Sequence, residues 1–194
     1  ASLIVQGQRR KLAVGAGTFT ENLLPGPYVT EGGTIIVSGA GVGSTIIGGS
    51  ENNAIEGYGF CTWEFNNLTF TAGDGNGVEA NAGVLIRLDT VGFASVNRAA
   101  INCRKKSSIY LVTSVAFTGS SDNFISSTEQ GLVQVDASIT LSGTCAFSEF
   151  VYASQGSYVG IFGAITGTAT GKRYDVSSNA VLNTDGAGST YLPG

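Results

Sequence analysis

The sequence contains no histidine and no methionine, and only 3 of its 194 residues are proline. Without an imidazole there is no side chain that titrates near neutrality of its own accord, which excludes His-dependent triads and His-ligated metal centres. Charge is scarce as well, at 12% of residues, about half the usual share. The net charge of −4 offers no broad basic surface for phosphates, so nucleic acid is not an expected partner. Two short basic runs, Arg9-Arg10-Lys11 and Arg104-Lys105-Lys106, read as solvated turns. No apolar run approaches the ~20 residues of a membrane span, so membrane insertion is not expected, and no segment reads as a signal peptide. The cysteines number three, Cys61, Cys103 and Cys145. An odd count gives no disulfide framework, and buried free thiols from a reducing compartment are expected. Their spacing suggests no metal-ligand set, so neither a metal nor a cofactor is expected.

What is present is glycine, 29 residues of it, together with 42% hydrophobic residues. That is ample for a continuous core and excludes a disordered chain. The apolar residues recur. The pairs Leu68/Phe70, Val91/Phe93, Val115/Phe117 and Ile139/Leu141 follow one another at intervals of 23, 24 and 24 residues. Each pair is an apolar-x-apolar element, the signature of a strand with one face buried. A constant period of this size, built of strands and without helical punctuation, points to a stacked coil. Between the pair members lies a small or polar column, Thr69, Gly92, Ala116 and Thr140, expected to face outward.

A strand precedes each pair and reads Trp63-x-Phe65, Ile86-x-Leu88 and Tyr110-x-Val112, with Val133 and Val135 taking the inward places after a one-residue slip. This register puts Trp63 and Tyr110 in the core column and Leu111 on the outer face. Ala100-Ile101, Phe124-Ile125 and Phe150-Val151 mark a third strand. Segment 72–83 reads as a long loop. Three strands per two dozen residues is the arithmetic of a parallel β-helix, here of about six coils of ~24 residues; a β-sandwich is the structural alternative. The Gly39-Ala40-Gly41-Val42-Gly43 cluster has the wrong spacing for a dinucleotide loop and reads as a tight corner. A solenoid must cover both apolar ends, so the chain divides into a lead-in and cap at 1–33, the β-helix at 34–165, and a C-terminal cap or trimer-associated segment at 166–194.

Gly39-Ala40-Gly41 followed by Ser44-Thr45-Ile46-Ile47 resembles the early coils of right-handed, single-stranded β-helix proteins. The run Thr170-Gly171-Lys172-Arg173-Tyr174-Asp175-Val176, with Asn179, Thr184, Gly186, Gly188 and Tyr191-Leu192-Pro193-Gly194, resembles the segment that follows the β-helix in bacteriophage tail fibre and tailspike proteins. Such chains run on beyond this segment, so a stop at Gly194 reads as a fragment, a short variant or a processed end. The resemblance implies a homotrimer of side-by-side β-helices, made in the host bacterial cytoplasm, carried on the virion among other tail proteins, and contacting a host surface glycan.

Carboxylates are the remaining catalytic groups, since polysaccharide hydrolysis needs only two acids at about 5–9.5 Å. The candidate pairs are Asp74 with Glu79 on one loop and Glu64 with Asp89 on adjacent coils. The register sets Glu64 beside Arg87 as an ion pair, gives Asp89 a turn-capping place, and leaves Glu79 in solvent. Tyr110 and Lys105 are available as lyase bases, with no arrangement that singles them out. Trp63, Tyr110 and Arg87 are the candidate glycan contacts. The reading that results is a receptor-binding module without catalysis. Its alternatives are a short depolymerase, a hydrolase or lyase working in an intersubunit groove, and a secreted β-helix adhesin or pectin-active enzyme.

Overall fold

The computed structural model describes residues 9–21, 23–24, 33–49, 52–188 and 190–194. Among these there is no helix. The chain forms β1 (Arg9–Ala13), β2 (Gly17–Phe19), β3 (Thr34–Ser38), β4 (Thr45–Ile47), β5 (Ile55–Tyr58), β6 (Thr62–Ala72), β7 (Val78–Asn81), β8 (Leu85–Val96) and β9 (Ala99–Cys103). It continues through β10 (Ser108–Leu111), β11 (Ser114–Ser127), β12 (Leu132–Val135), β13 (Ser138–Ala153), β14 (Tyr158–Ile161), β15 (Ile165–Thr166), β16 (Ala169–Val176) and β17 (Val181–Asn183). Every ladder is parallel, and the strands stack as a β-solenoid of about seven turns. Each turn contributes to three faces. Strands β3, the first half of β6, β10, β12 and β14 lie on the first. Strand β4, the later part of β6, the middle of β8 and the first parts of β11 and β13 lie on the second. Strands β5, β7, β9 and the later portions of β11 and β13 lie on the third.

The apolar pairs meet in the expected register. Leu68 pairs with Val91, Val91 with Val115, and Val115 with Ile139, while Phe70, Phe93, Phe117 and Leu141 form the neighbouring column. All eight are buried. Stacking like residues one strand spacing apart lets the rings interlock. Phe70 and Phe93 have centroids 5.5 Å apart, and Phe124 and Phe150 stack at 4.9 Å with planes inclined 13°. The third-strand residues Ile101, Ile125 and Val151 also align.

The preceding strand departs from expectation by one residue. Ile109 and Leu111, not Tyr110 and Val112, pair with Ile86 and Leu88, and Val133 and Val135 align with them. The cause is the corner length. Phe65 to Leu68 and Leu88 to Val91 span three residues, with Asn67 and Thr90 left-handed at φ 54°, whereas Leu111 to Val115 and Val135 to Ile139 span four. The slip thus enters one coil earlier than expected. It turns Tyr110 outward and buries Leu111 completely.

Segment 72–83 is not simply a loop, because it contains β7, paired with β5 and β9. The Arg9-Arg10-Lys11 run lies in an exposed strand, β1, not in a turn. Pairing also continues on both sides of 34–165: β1 pairs with β3, and β16 and β17 pair with β13 and β14. Gly171 opens the terminal run at φ +118°, and a Cβ there would strike the Phe147 carbonyl oxygen, so the β13–β16 ladder requires glycine at that point.

The corners joining the third face to the first repeat a backbone device. The pairs Lys105/Lys106, Glu129/Gln130, Gln155/Gly156 and Ser178/Asn179 all have positive φ. Each is closed by an amide-to-carbonyl bond across the turn, as from Gly131 to Thr128 at 2.9 Å. Positive φ at both central residues defines a type I′ turn. The turns stack, since Lys106 N–H donates to the Glu129 carbonyl at 3.1 Å and Gln130 N–H to that of Gln155 at 3.0 Å.

Candidate functional site

Alternation along the first face sends one column outward that reads Lys11, Ile36, Glu64, Arg87, Tyr110 and Gln134. The adjoining column contains Asn66 beside Asp89. Arg9, Glu64, Asn66, Arg87, Asp89 and Val112 line a groove of about 420 Å³. Strand register therefore brings three expected site residues, Glu64, Arg87 and Asp89, to one place.

Within the groove the ion pairing differs from expectation. Glu64 and Arg87 are register neighbours, but Glu64 Oε2 accepts from Arg9 Nη2 at 2.6 Å. Arg9 stands two strands back in the column beside that of Glu64, and its long side chain spans the intervening strand β3. Arg87 is exposed and makes no ion pair among the described residues. Asp89 accepts a hydrogen bond from the Thr90 hydroxyl at 3.2 Å rather than from a backbone amide.

The two aromatic candidates separate. Trp63 faces inward, stacked on Phe65 at 6.0 Å, and its Nε1 donates to Cys61 Sγ at 3.2 Å. That is core packing, as expected. Tyr110 stands outward, half-buried and in register with Arg87, beside the groove rather than in its lining. Sequence alternation missed this because it counted one residue too few in the corner before Val115.

The other acid pair does not form. Asp74 is exposed on its loop, whereas Glu79 is 3% exposed, a correction to its expected solvation. Glu79 lies in register with Glu56 on the outer side of the third face. Its Oε2 accepts from Asn76 Nδ2 at 2.7 Å and Asn53 Nδ2 at 3.1 Å, and its Oε1 meets the Arg104 guanidinium. Beside it the Tyr58 hydroxyl donates to Glu56. That hydrogen bond, with burial and the neighbouring carboxylates, pushes the Tyr58 hydroxyl up to about 12. Glu56 escaped notice in the sequence because the strand that pairs with it was hidden inside an apparent loop.

Among the described residues no cluster of three acids, thiols or imidazoles forms a metal site. The three cysteines are unpaired and buried, and burial pushes the Cys103 thiol up to about 12 and the Cys61 thiol upward as well. Cys61 and Cys103 are therefore poor nucleophiles, and Cys145 is shielded by burial. The C-terminal run folds back on the last turn: Arg173 Nε donates to the Leu192 carbonyl at 3.0 Å and the Tyr191 hydroxyl to that of Gly163. No protein-family model, no curated protein and no solved structure matches the chain. What the groove can do follows from its own groups, which are guanidinium and amide donors set among carboxylate acceptors.

Proposed function

We propose that this chain is a structural and receptor-binding module of a bacteriophage tail fibre or tailspike, and that the first-face groove holds a host cell-surface polysaccharide. The observation that carries the reading is the groove itself, a shallow row of Arg87, Asn66, Asp89 and Glu64 on the side of an extended stack. Sugar hydroxyls both donate and accept, so they are met best by mixed planar donors and acceptors, with an aromatic face such as Tyr110 alongside. A rigid ladder keeps these groups at constant spacing, which suits a repeating ligand.

The trimeric, right-handed form belongs to the same proposal. Leu111 lends it no support, being buried. Support comes instead from outward apolar residues on the C-terminal half of the first face, where Val112, Leu132 and Tyr158 are half-buried and Phe162 and Val181 are 42% and 50% exposed. Covering such a patch favours association. The proposed setting is the virion, with a host surface glycan and other tail proteins as partners.

One observation favours hydrolysis as a second reading. Glu64 and Asp89 are diagonal neighbours on adjacent strands. Strand spacing and residue rise put their Cβ atoms about 8 Å apart, a separation from which side-chain rotation can bring the carboxyl groups into the range used by inverting glycosidases. One carboxyl would protonate the glycosidic oxygen while the other takes a proton from the attacking water. Purified polysaccharides from bacterial envelopes test both readings. Binding by the wild-type chain that falls at least tenfold in Arg87→Ala and Asp89→Ala, with glycan length unchanged, supports the binder. Shortened glycan that Asp89→Asn no longer produces supports the hydrolase.

A further inference from the structure

The third face carries a second polar cluster that the groove does not use. Glu79 and Asn81 alternate outward along β7, and Tyr58 on β5 is in register with Asn81. Arg104 follows Cys103, the partner of Ala80, and so stands beside Asn81 on the opposite neighbour. Glu79 and Asn81 are 3% and 4% exposed, yet Asn81 Oδ1 and Arg104 Nε are buried with no hydrogen-bond partner. Glu79 itself is fully engaged, its Oε1 by the Arg104 guanidinium and its Oε2 by Asn53 and Asn76. Buried polar atoms are rarely left unpaired, and a group of them facing one place signals a missing partner.

The atoms left over define what that partner is. One is an acceptor, Asn81 Oδ1, and one is a donor, Arg104 Nε–H, so their partner must both donate and accept. An anion would be repelled by Glu79 and Asn81 Oδ1, and a cation by Arg104. A neutral hydroxyl satisfies both demands. Tyr58 adds an apolar ring at the margin, which suits a sugar better than bulk solvent. Arg104 supplies the way in, because its side chain is 34% exposed while the groups beneath it are enclosed. Asn53 and Asn76 hold the other Glu79 oxygen, so the carboxylate stays in place when Arg104 turns aside.

We propose that Asn81 and Arg104, the latter anchored by Glu79, form a subsite for one hydroxyl group of a saccharide, with Arg104 as its movable wall and Tyr58 at its edge. The choice of saccharide over a lone water rests on the glycan-binding reading above; the site itself is separate from the groove. The test is nuclear magnetic resonance on the full, isotope-labelled chain, titrated in turn with D-glucose, D-galactose, D-mannose and L-rhamnose. At least one sugar is expected to shift the Arg104 Nε–H resonance saturably, with apparent affinity falling at least tenfold in Asn81→Leu. Arg104→Lys keeps a cation for Glu79 but lacks the Nε–H, and is expected to abolish the shift of the Asn81 side-chain amide. Arg87→Ala in the groove is expected to leave both responses intact, so failure of the groove and failure of this subsite are read separately. No response to any sugar, a response unchanged in Asn81→Leu, or a bound water that no sugar displaces would overturn the proposal.

Discussion

Tyr58 shows how a single residue ties the third face together. Its hydroxyl is held protonated by donation to Glu56, which raises it from 10.0 to about 12. A group whose folded pKa lies above its unfolded value contributes stability that is complete below the unfolded pKa and lost as pH rises through the folded one. For Tyr58 that contribution is intact below pH 10 and disappears towards about 12; for the Cys103 thiol the loss begins near 9.0 and also ends at about 12. The urea midpoint is therefore expected to decline steadily between pH 9 and 12, and Tyr58→Phe to flatten the upper part of that decline. A curve of identical shape in Tyr58→Phe would show that the hydrogen bond to Glu56 does not couple to folding. None of this was legible in the sequence. Glu56 and Tyr58 sit two apart in an unremarkable tetrapeptide, and only pairing with β7 gives them Glu79 and Asn81 as neighbours.

At the scale of elements, strands were easier to recognise than corners. Leu68, Val91, Val115 and Ile139 announce their ladder because burial of one side of a strand imposes period two on the sequence. The type I′ corners send no such message. Lys105-Lys106 and Glu129-Gln130 adopt a conformation that ordinarily calls for Asn-Gly, because stacking between coils outweighs local preference. A non-glycine residue in the left-handed region carries a cost of roughly 1–2 kcal/mol. Replacing Glu129 by Asn and Gln130 by Gly relieves part of it at two exposed positions, against the extra chain entropy of glycine. The double variant is expected to gain about 0.5–1 kcal/mol, read as a rise of roughly 2–3 °C in the calorimetric midpoint. A fall in midpoint would mean that the Glu129 and Gln130 side chains, which line a shallow hollow with Lys105, Lys106 and Gln155, stabilise the corner themselves.

The whole molecule is a column of parallel strands whose turns touch only their neighbours, so its stability is a sum of like interfaces. Its sides differ in character. The second face presents small groups such as Ala116, Thr118, Thr140 and Ser142, with Thr118 and Ser142 hydroxyls 3.0 Å apart. The first face runs from the charged groove to Tyr158, Phe162 and Val181. If three copies associate through that apolar end, light scattering at micromolar concentration gives three times the chain mass, and Phe162→Asp with Val181→Asp returns it to one. A wild-type mass of one chain would remove the trimer from the proposed function.

The sequence by itself determined that this protein is a stack of β-strands with a period of about two dozen residues, because a continuous core repeated turn by turn leaves its mark on every strand. It also determined that imidazole chemistry is absent. Only the tertiary structure decided which polar residues meet. A single extra residue in the corner after Leu111 turns Tyr110 out towards Arg87, and a strand inside an apparent loop sets Glu79 against Glu56 and Arg104. Side-chain direction in a solenoid depends on register, and register is settled by how corners pack between coils rather than by the local pattern of the strand.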